Sequence, residues 1–295
     1  MALVINNNMM AMNAARNLGT SFGNLETSTR RLSSGLRITQ ASDDAAGLAV
    51  RELMRADVSS LQQGIRNAND AISLIQTADG ALGVIDEKLI RMKELAMQAS
   101  TGTYNSDQRL IIDSEYQAMA SEITRIANST DFNGIYLLNG NLSGATHSGA
   151  AMDPTGKLKV HFGTGNDSSE DYYYIQINTA TASALGVGLA AGTGNGASIS
   201  TQALAQSSLD VLQNAIISKD KIRANLGALQ NRLENTVTVL EIQAENVQAA
   251  ESRISDVDVA TEMTEFVKNQ ILTQAAVSML SQANSLPRMA LSLIG

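Results

Sequence analysis

Both ends of this 295-residue chain repeat apolar residues at alternating steps of four and three, the period of a helix that must lie against another helix. Near the start, Leu18, Phe22, Leu25, Leu32 and Leu36 fall on one such stripe, with Thr29 in its polar slot. Toward the end, Val259, Met263, Phe266, Val277, Leu280, Leu291 and Ile294 fit one register, with Gln270, Thr273, Asn284 and Pro287 as imperfect members. Because proline removes a backbone donor, the last helix is expected to fray at Pro287. Inside these ends, Leu61, Ile65, Ala68, Ile72, Ile75, Leu82, Leu89 and Met92 continue the period, interrupted by Asp79 and Asp86. Another long helix is marked by Leu226, Leu233, Val237, Leu240, Ala244, Val247 and Ile254.

Punctuation falls elsewhere. Of 22 glycines, 12 lie in residues 131–200, whereas residues 201–295 hold only Gly227 and Gly295. The order is therefore helix, interruption, helix. In the interruption, Asn139-Gly140 reads as a turn, and residues 157–162 (KLKVHF) and 172–178 (YYYIQIN) read as short strands. The Gly/Ala/Thr/Ser-rich stretch from Thr179 to Ser200 reads as an exposed loop.

A helix over roughly residues 3–36 and another over roughly 258–291 would each be about 50 Å long at 1.5 Å per residue. Two such helices from opposite ends can pair, antiparallel or parallel, leaving the middle as an insertion. The expected fold is mainly α: a long helical hairpin or coiled-coil bundle formed by both termini, with a small β-containing central insert. Two isolated helices bury little surface against a backbone ordering cost of about 1–2 kcal/mol per residue, so the terminal pair should order only among neighbours. Leu18, Phe22, Leu25, Leu32, Phe266, Val277 and Leu280 are the candidates for contacts between subunits.

Composition narrows the functional classes. The net charge is −8 with no basic cluster, and aromatics make up 3%, which disfavours nucleic-acid binding. Cysteine is absent, so thiolate metal sites, disulfides and Cys nucleophiles are excluded. No 18-residue apolar run is present, and residues before Arg16 carry no Lys or Arg, so neither a membrane span nor an ordinary secretory signal is expected.

Individual motifs argue against chemistry. Asp43-Asp44 could suggest acid–base work, but neighbouring helical residues diverge by about 100° and Ser42 or Asp43 suits an N-cap. His147 and His161, the two imidazoles, lie in the insert without ligand spacing. Gly186-x-Gly188-x-x-Ala191 formally fits a dinucleotide fingerprint, yet Gly192, Gly194 and Gly196 stand where the binding helix should begin. No catalytic, cofactor-binding or metal residues are assigned, and Glu87 and Arg91 are read as an i,i+4 pair on an exposed helix face.

The strings RLSSGLRI (residues 31–38), DDAAGLAV (43–50), RNANDAISLIQTADGAL (66–82) and KELAMQAS (93–100) closely resemble the N-terminal region of bacterial flagellins. DFNGIYLLNG (131–140), SRISDVDVATE (252–262) and SMLSQAN (278–284) resemble the remaining signatures, in family order. The resemblance implies a subunit that polymerises into the bacterial flagellar filament, an extracellular structural protein for swimming motility rather than an enzyme. It implies an inner-tube domain from residues 1–43 and 255–295, an outer-tube domain from 44–140 and 201–254, and a variable surface insert at 141–200. Implied partners are other copies of the chain, the flagellar type III export apparatus with an export chaperone, and the filament cap and hook-associated proteins. Arg91, Leu95 and Glu115 sit in segments resembling those through which a vertebrate innate immune receptor recognises some flagellins. The hook–filament junction adaptor shares the fold, but its usual DDPAG stands here as Asp43-Asp44-Ala45-Ala46-Gly47, which favours the filament subunit.

Overall fold

A computed structural model describes residues 8–144, 156–168, 170–189, 192 and 194–294, with backbone alone at 286–288 and 290–294. It is mainly helical and divides into two units, Ser59–Ala244 and the pair of segments Met1–Val58 and Glu245–Gly295.

The larger unit is built on α2 (Ala45–Ser100), α3 (Ser106–Ser129) and α5 (Gln202–Ser255), of which α2 and α5 also contribute to the other unit. Along α2 the buried residues Leu61, Gly64, Ala68, Ala71, Ile75, Ala78, Leu82, Ile85, Leu89, Met92, Ala96 and Ala99 follow a three–four alternation, with Leu74 and Leu95 buried beside it. Small residues cluster toward both ends of this stripe and large ones from Leu82 to Met92, and α5 answers with Ala205, Ser208, Leu212, Ala215, Lys219, Ile222 and Leu226, again at steps of three and four. The helices run antiparallel, since Arg223 donates to Asp79 at 2.7 Å and Lys219 reaches Asp86 at 2.6 Å. Asp79 and Asp86, which interrupt the stripe in sequence, are thus the register pins of this pair. α3 starts with a capping box in which Asn105 and Gln108 each accept the other's backbone N–H.

After α3, β1 (Asp131–Phe132) and β2 (Ile135–Tyr136) form a hairpin around Asn133-Gly134, both at positive φ as a type I′ turn requires. β3 (Leu158–His161) pairs antiparallel with β4 (Tyr172–Ile175), matching the two expected strands. The segment from Thr179 to Ser200 is not the exposed loop its composition suggests. Ala180, Ala182, Leu185, Val187, Ala197 and Ile199 are buried, and α4 (Ala182–Leu185) forms within it. Hydrogen bonds from the Tyr116 hydroxyl to the Gly196 carbonyl (2.8 Å) and from Gln117 to the Ala197 carbonyl (2.6 Å) hold it down. Ala191 of the glycine fingerprint and His147 lie outside the described residues.

In the smaller unit, α1 (Met9–Ser34) and α6 (Val259–Ile294) run antiparallel, with Arg31 near Glu262 at one end and Asn8 bonded to the Ala283 carbonyl at the other. Gly35, left-handed at φ 72°, terminates α1, so Leu36 leaves the expected stripe and forms a β-bridge to Asp256. Arg37 N–H donates to the Ser255 carbonyl (2.7 Å) and Val257 N–H to the Gly35 carbonyl (3.0 Å), stapling the α1–α2 and α5–α6 connections together. Asp44, rather than Ser42 or Asp43, caps α2 by accepting from Gly47 N–H; Asp43 instead accepts from Thr39 and Gln40.

Candidate assembly surface

The α1–α6 pair meets along a seam read directly from burial. On α1 it comprises Ala11, Ala14, Leu18, Ser21, Leu25, Ser28 and Leu32; on α6, Glu262, Phe266, Asn269, Thr273, Ala276, Leu280 and Ala283. Both follow the three–four alternation of a coiled coil. The best-buried members are small or polar: Ser28, Asn269, Thr273 and Ala283. Within the seam, the Thr273 hydroxyl donates to the Asn269 carbonyl at 2.8 Å, satisfying a group that would otherwise be costly to bury.

This seam corrects the register expected for α6. Phe266, Thr273 and Leu280 do face α1, but Val259, Met263 and Val277 are exposed, because small side chains allow the closer helix approach. Nor does α6 end at Pro287; it continues to Ile294. The missing N–H of Pro287 leaves the carbonyl four residues earlier without its helical donor. That carbonyl is Ala283, and the Asn8 side-chain amide donates to it at 2.8 Å. The Asn8 carbonyl oxygen of the same amide accepts from Ala11 N–H, so one residue both caps α1 and repairs α6.

Beside the seam lies a second set of large apolar side chains that face outward. Met9, Met10, Met12 and Phe22 on α1 are exposed, as are Val259, Met263, Val267, Ile271, Leu272, Val277, Met279 and Met289 on α6. Two grooves run along this surface. One, of about 650 Å³, is bordered by Met9, Met10, Asn13, Asn17, Leu272 and Met279; the other, of about 730 Å³, lies beside Gly19, Phe22, Gly23 and Thr29. Of the seven contact candidates, Leu18, Leu25, Leu32, Phe266 and Leu280 are half-buried in the seam, whereas Phe22 (52% exposed) and Val277 (50%) face outward. The outward Met9, Met10, Met12, Val267, Ile271, Leu272 and Met279 escape the sequence reading. Their signal is a second apolar stripe beside the first, which a single-register reading discards.

At the start of α6, Asp258 accepts from Ala260 N–H (3.0 Å) and the Thr261 hydroxyl (2.7 Å). The Thr261 hydroxyl first, then the Thr261 and Ala260 amides, hold its carboxyl below the usual aspartate value. Asp43 is likewise lowered, chiefly by the Thr39 amide and hydroxyl.

In the larger unit Arg91 pairs with Glu115 on α3 (2.8 Å) and with Glu94 (3.0 Å), not with Glu87. The guanidinium reaches across to α3 because that carboxylate can accept two of its N–H groups, which a neighbour on the same helix does not offer here. Arg91 and Glu115 are exposed, while Leu95 is buried in the core. His161 lies beside Tyr172, their ring centroids 6.0 Å apart. Among the described residues no group of three or more His, Asp or Glu side chains is placed to hold a metal, and no helix is long and apolar enough to cross a membrane.

The bacterial flagellin N-terminal helical region matches residues 5–143 and the corresponding C-terminal helical region residues 209–294. The chain belongs to the bacterial flagellin family. It is 40% identical to a flagellin of Halalkalibacterium halodurans over 292 residues, 99% of this chain and 100% of the relative. It is 41% identical to the flagellar filament 33 kDa core protein of Treponema phagedenis, again over 99% and 100%. A solved structure from Vibrio parahaemolyticus, described as a flagellar hook-associated protein, shares 15% identity at a TM-score of 0.56, covering 72% of this chain and all of that one; this likeness is one of fold alone. The two family matches leave residues 144–208 between them, the segment that holds β3, β4 and α4.

Proposed function

We propose that the chain is a structural subunit, not an enzyme, that polymerises into a bacterial flagellar filament, an extracellular fibre rotated for swimming, and that other copies complete its α1–α6 pair. One observation carries the reading. The best-buried positions of the pair's own seam are small or polar, and among the described residues twelve of its large apolar side chains face outward. A surface of that kind marks an interaction site on a soluble protein. Covering half-exposed Met, Val, Leu, Ile and Phe side chains contributes about 1 kcal/mol apiece, roughly 10 kcal/mol per subunit before ordering costs. That is the scale needed to order a thin helical pair when neighbours arrive. Contacts that repeat head-to-tail and sideways without closing generate a helical fibre.

The test is seeded elongation. Monomer added to filament fragments should lengthen them, followed by light scattering and electron microscopy, and Phe22→Asp together with Val277→Asp should block growth while leaving the larger unit folded. A hook–filament adaptor would cap the seeds instead of extending them, and its fold-level likeness to the Vibrio protein gives that reading no preference over the filament subunit.

Residues 1–43 and 255–295 would form the inner tube, 44–140 and 201–254 the outer tube, and 141–200 the surface insert. Export apparatus, export chaperone, cap and hook-associated proteins would be the other partners, on family resemblance. Recognition by the vertebrate innate receptor would rest on exposed Arg91 and Glu115, with Leu95 acting from beneath through packing; Arg91→Ala monomer that signals like the parent would end that reading.

A further inference from the structure

The outward surface of the α1–α6 pair is rich in one residue type. Met9 (58% exposed), Met12 (61%) and Met279 (61%) stand there with Met10 and Met263, and Met9, Met10 and Met279 border the same groove as Leu272. The chain has 12 methionines and no cysteine, so thioethers are its oxidisable sulfurs. In contrast, Met92 is fully buried in the larger unit.

We propose that these methionines are a modification site: peroxide converts them to sulfoxides in the free subunit, and this blocks its addition to the filament. The inference rests on the reading that this surface is where copies pack. In the reaction the sulfur lone pair attacks one peroxide oxygen, an S–O bond forms and the O–O bond breaks. A proton passes to the departing oxygen, which leaves as water; sulfur loses two electrons and the peroxide gains them. The product carries a polar S–O group where an apolar tip stood, and burying it against another copy without a donor is unfavourable. Once the subunit is packed, the same sulfurs are shielded, so the filament resists what its monomer does not.

The experiment treats monomer and preformed filament with dilute hydrogen peroxide, maps sulfoxides by peptide mass spectrometry with Met92 as the buried internal standard, and measures seeded elongation. Expected results are sulfoxide at Met9, Met10, Met12, Met263 and Met279 in the monomer, at least tenfold slower elongation, little modification of those residues in filament, and recovery after methionine sulfoxide reductase. A variant carrying Met9→Leu, Met10→Leu, Met12→Leu, Met263→Leu and Met279→Leu should elongate equally well before and after peroxide. Oxidised wild type that elongates at the untreated rate, or slowed elongation that the reductase does not restore, overturns the proposal. If the Leu variant itself does not elongate, the reductase arm alone decides. Untreated wild type that never elongates would instead sink the assembly reading beneath it.

Discussion

At the residue scale, two positions of the larger unit, Gly64 and Lys219, tie its long helices to what packs against them. A Cβ on Gly64 would collide with the Phe162 carbonyl, because α2 lies against the strand module at that point. Gly64→Ala should therefore cost about 1–3 kcal/mol despite its better helix propensity, as overpacking does, and thermal unfolding should show a lowered Tm. Lys219 is 1% exposed, its ammonium held by Asp86 (2.6 Å) and Asp220 (2.7 Å). Lys219→Ala removes the stem and strands Asp86 in the seam, at a cost of about 3 kcal/mol; Lys219→Met keeps the volume and should lose less. Neither residue was legible beforehand. A glycine mid-helix reads as a weak spot until its neighbour is known, and a lysine on a heptad position reads as surface. Asp79 and Asp86 were legible only as defects in a stripe, since the cations that explain them lie more than a hundred residues away.

Elements were read better than their ends. The long helices, the β3 and β4 strands and the coiled-coil period follow from patterns that backbone geometry enforces locally. The register of α6 did not, because Val259, Met263 and Val277 are apolar yet face away from α1, and polarity alone cannot say which of two apolar stripes a partner will take. Pro287 misled for a related reason: its cost is offset by Asn8 from the other end of the chain. Asn8→Ala should remove a cap and leave the Ala283 carbonyl unpaired, lowering stability of the α1–α6 pair by about 1–2 kcal/mol, measurable by circular dichroism during urea titration of assembled protein. Acid should loosen these connections too. Asp43, Asp79 and Asp258 are lowered from 3.8 in the folded chain, by Thr39, Arg223 and Thr261 respectively. The unfolded chain therefore binds protons first on acidification. The stability these groups contribute is complete above the usual aspartate range and is lost as pH falls through their depressed values. Unfolding midpoints should drop below about pH 4, and Asp79→Asn should flatten that dependence.

At the scale of the whole molecule, a chain with matched amphipathic ends cannot finish its own packing. The larger unit has a continuous core from Leu61 to Ala244 and resembles an ordinary helical domain. The α1–α6 pair buries serine, threonine, asparagine and alanine best, keeps Leu18, Leu25, Leu32, Phe266 and Leu280 only half-buried in its seam, and leaves its other large apolar residues outside. That insufficiency was legible in the sequence as thinness, while the identity of the outward residues was not, because it depends on which face small side chains bring together. The central claim is that copies of the chain supply the missing cover. Hydrogen exchange of monomer and filament, resolved by peptide, tests it most directly. Fast exchange is expected across Met9–Ser34 and Val259–Ile294 in the monomer, strong protection of both in the filament, and protection of α2 and α5 between Leu61 and Ala244 in either state. Terminal helices equally protected in isolated monomer and in filament would contradict it.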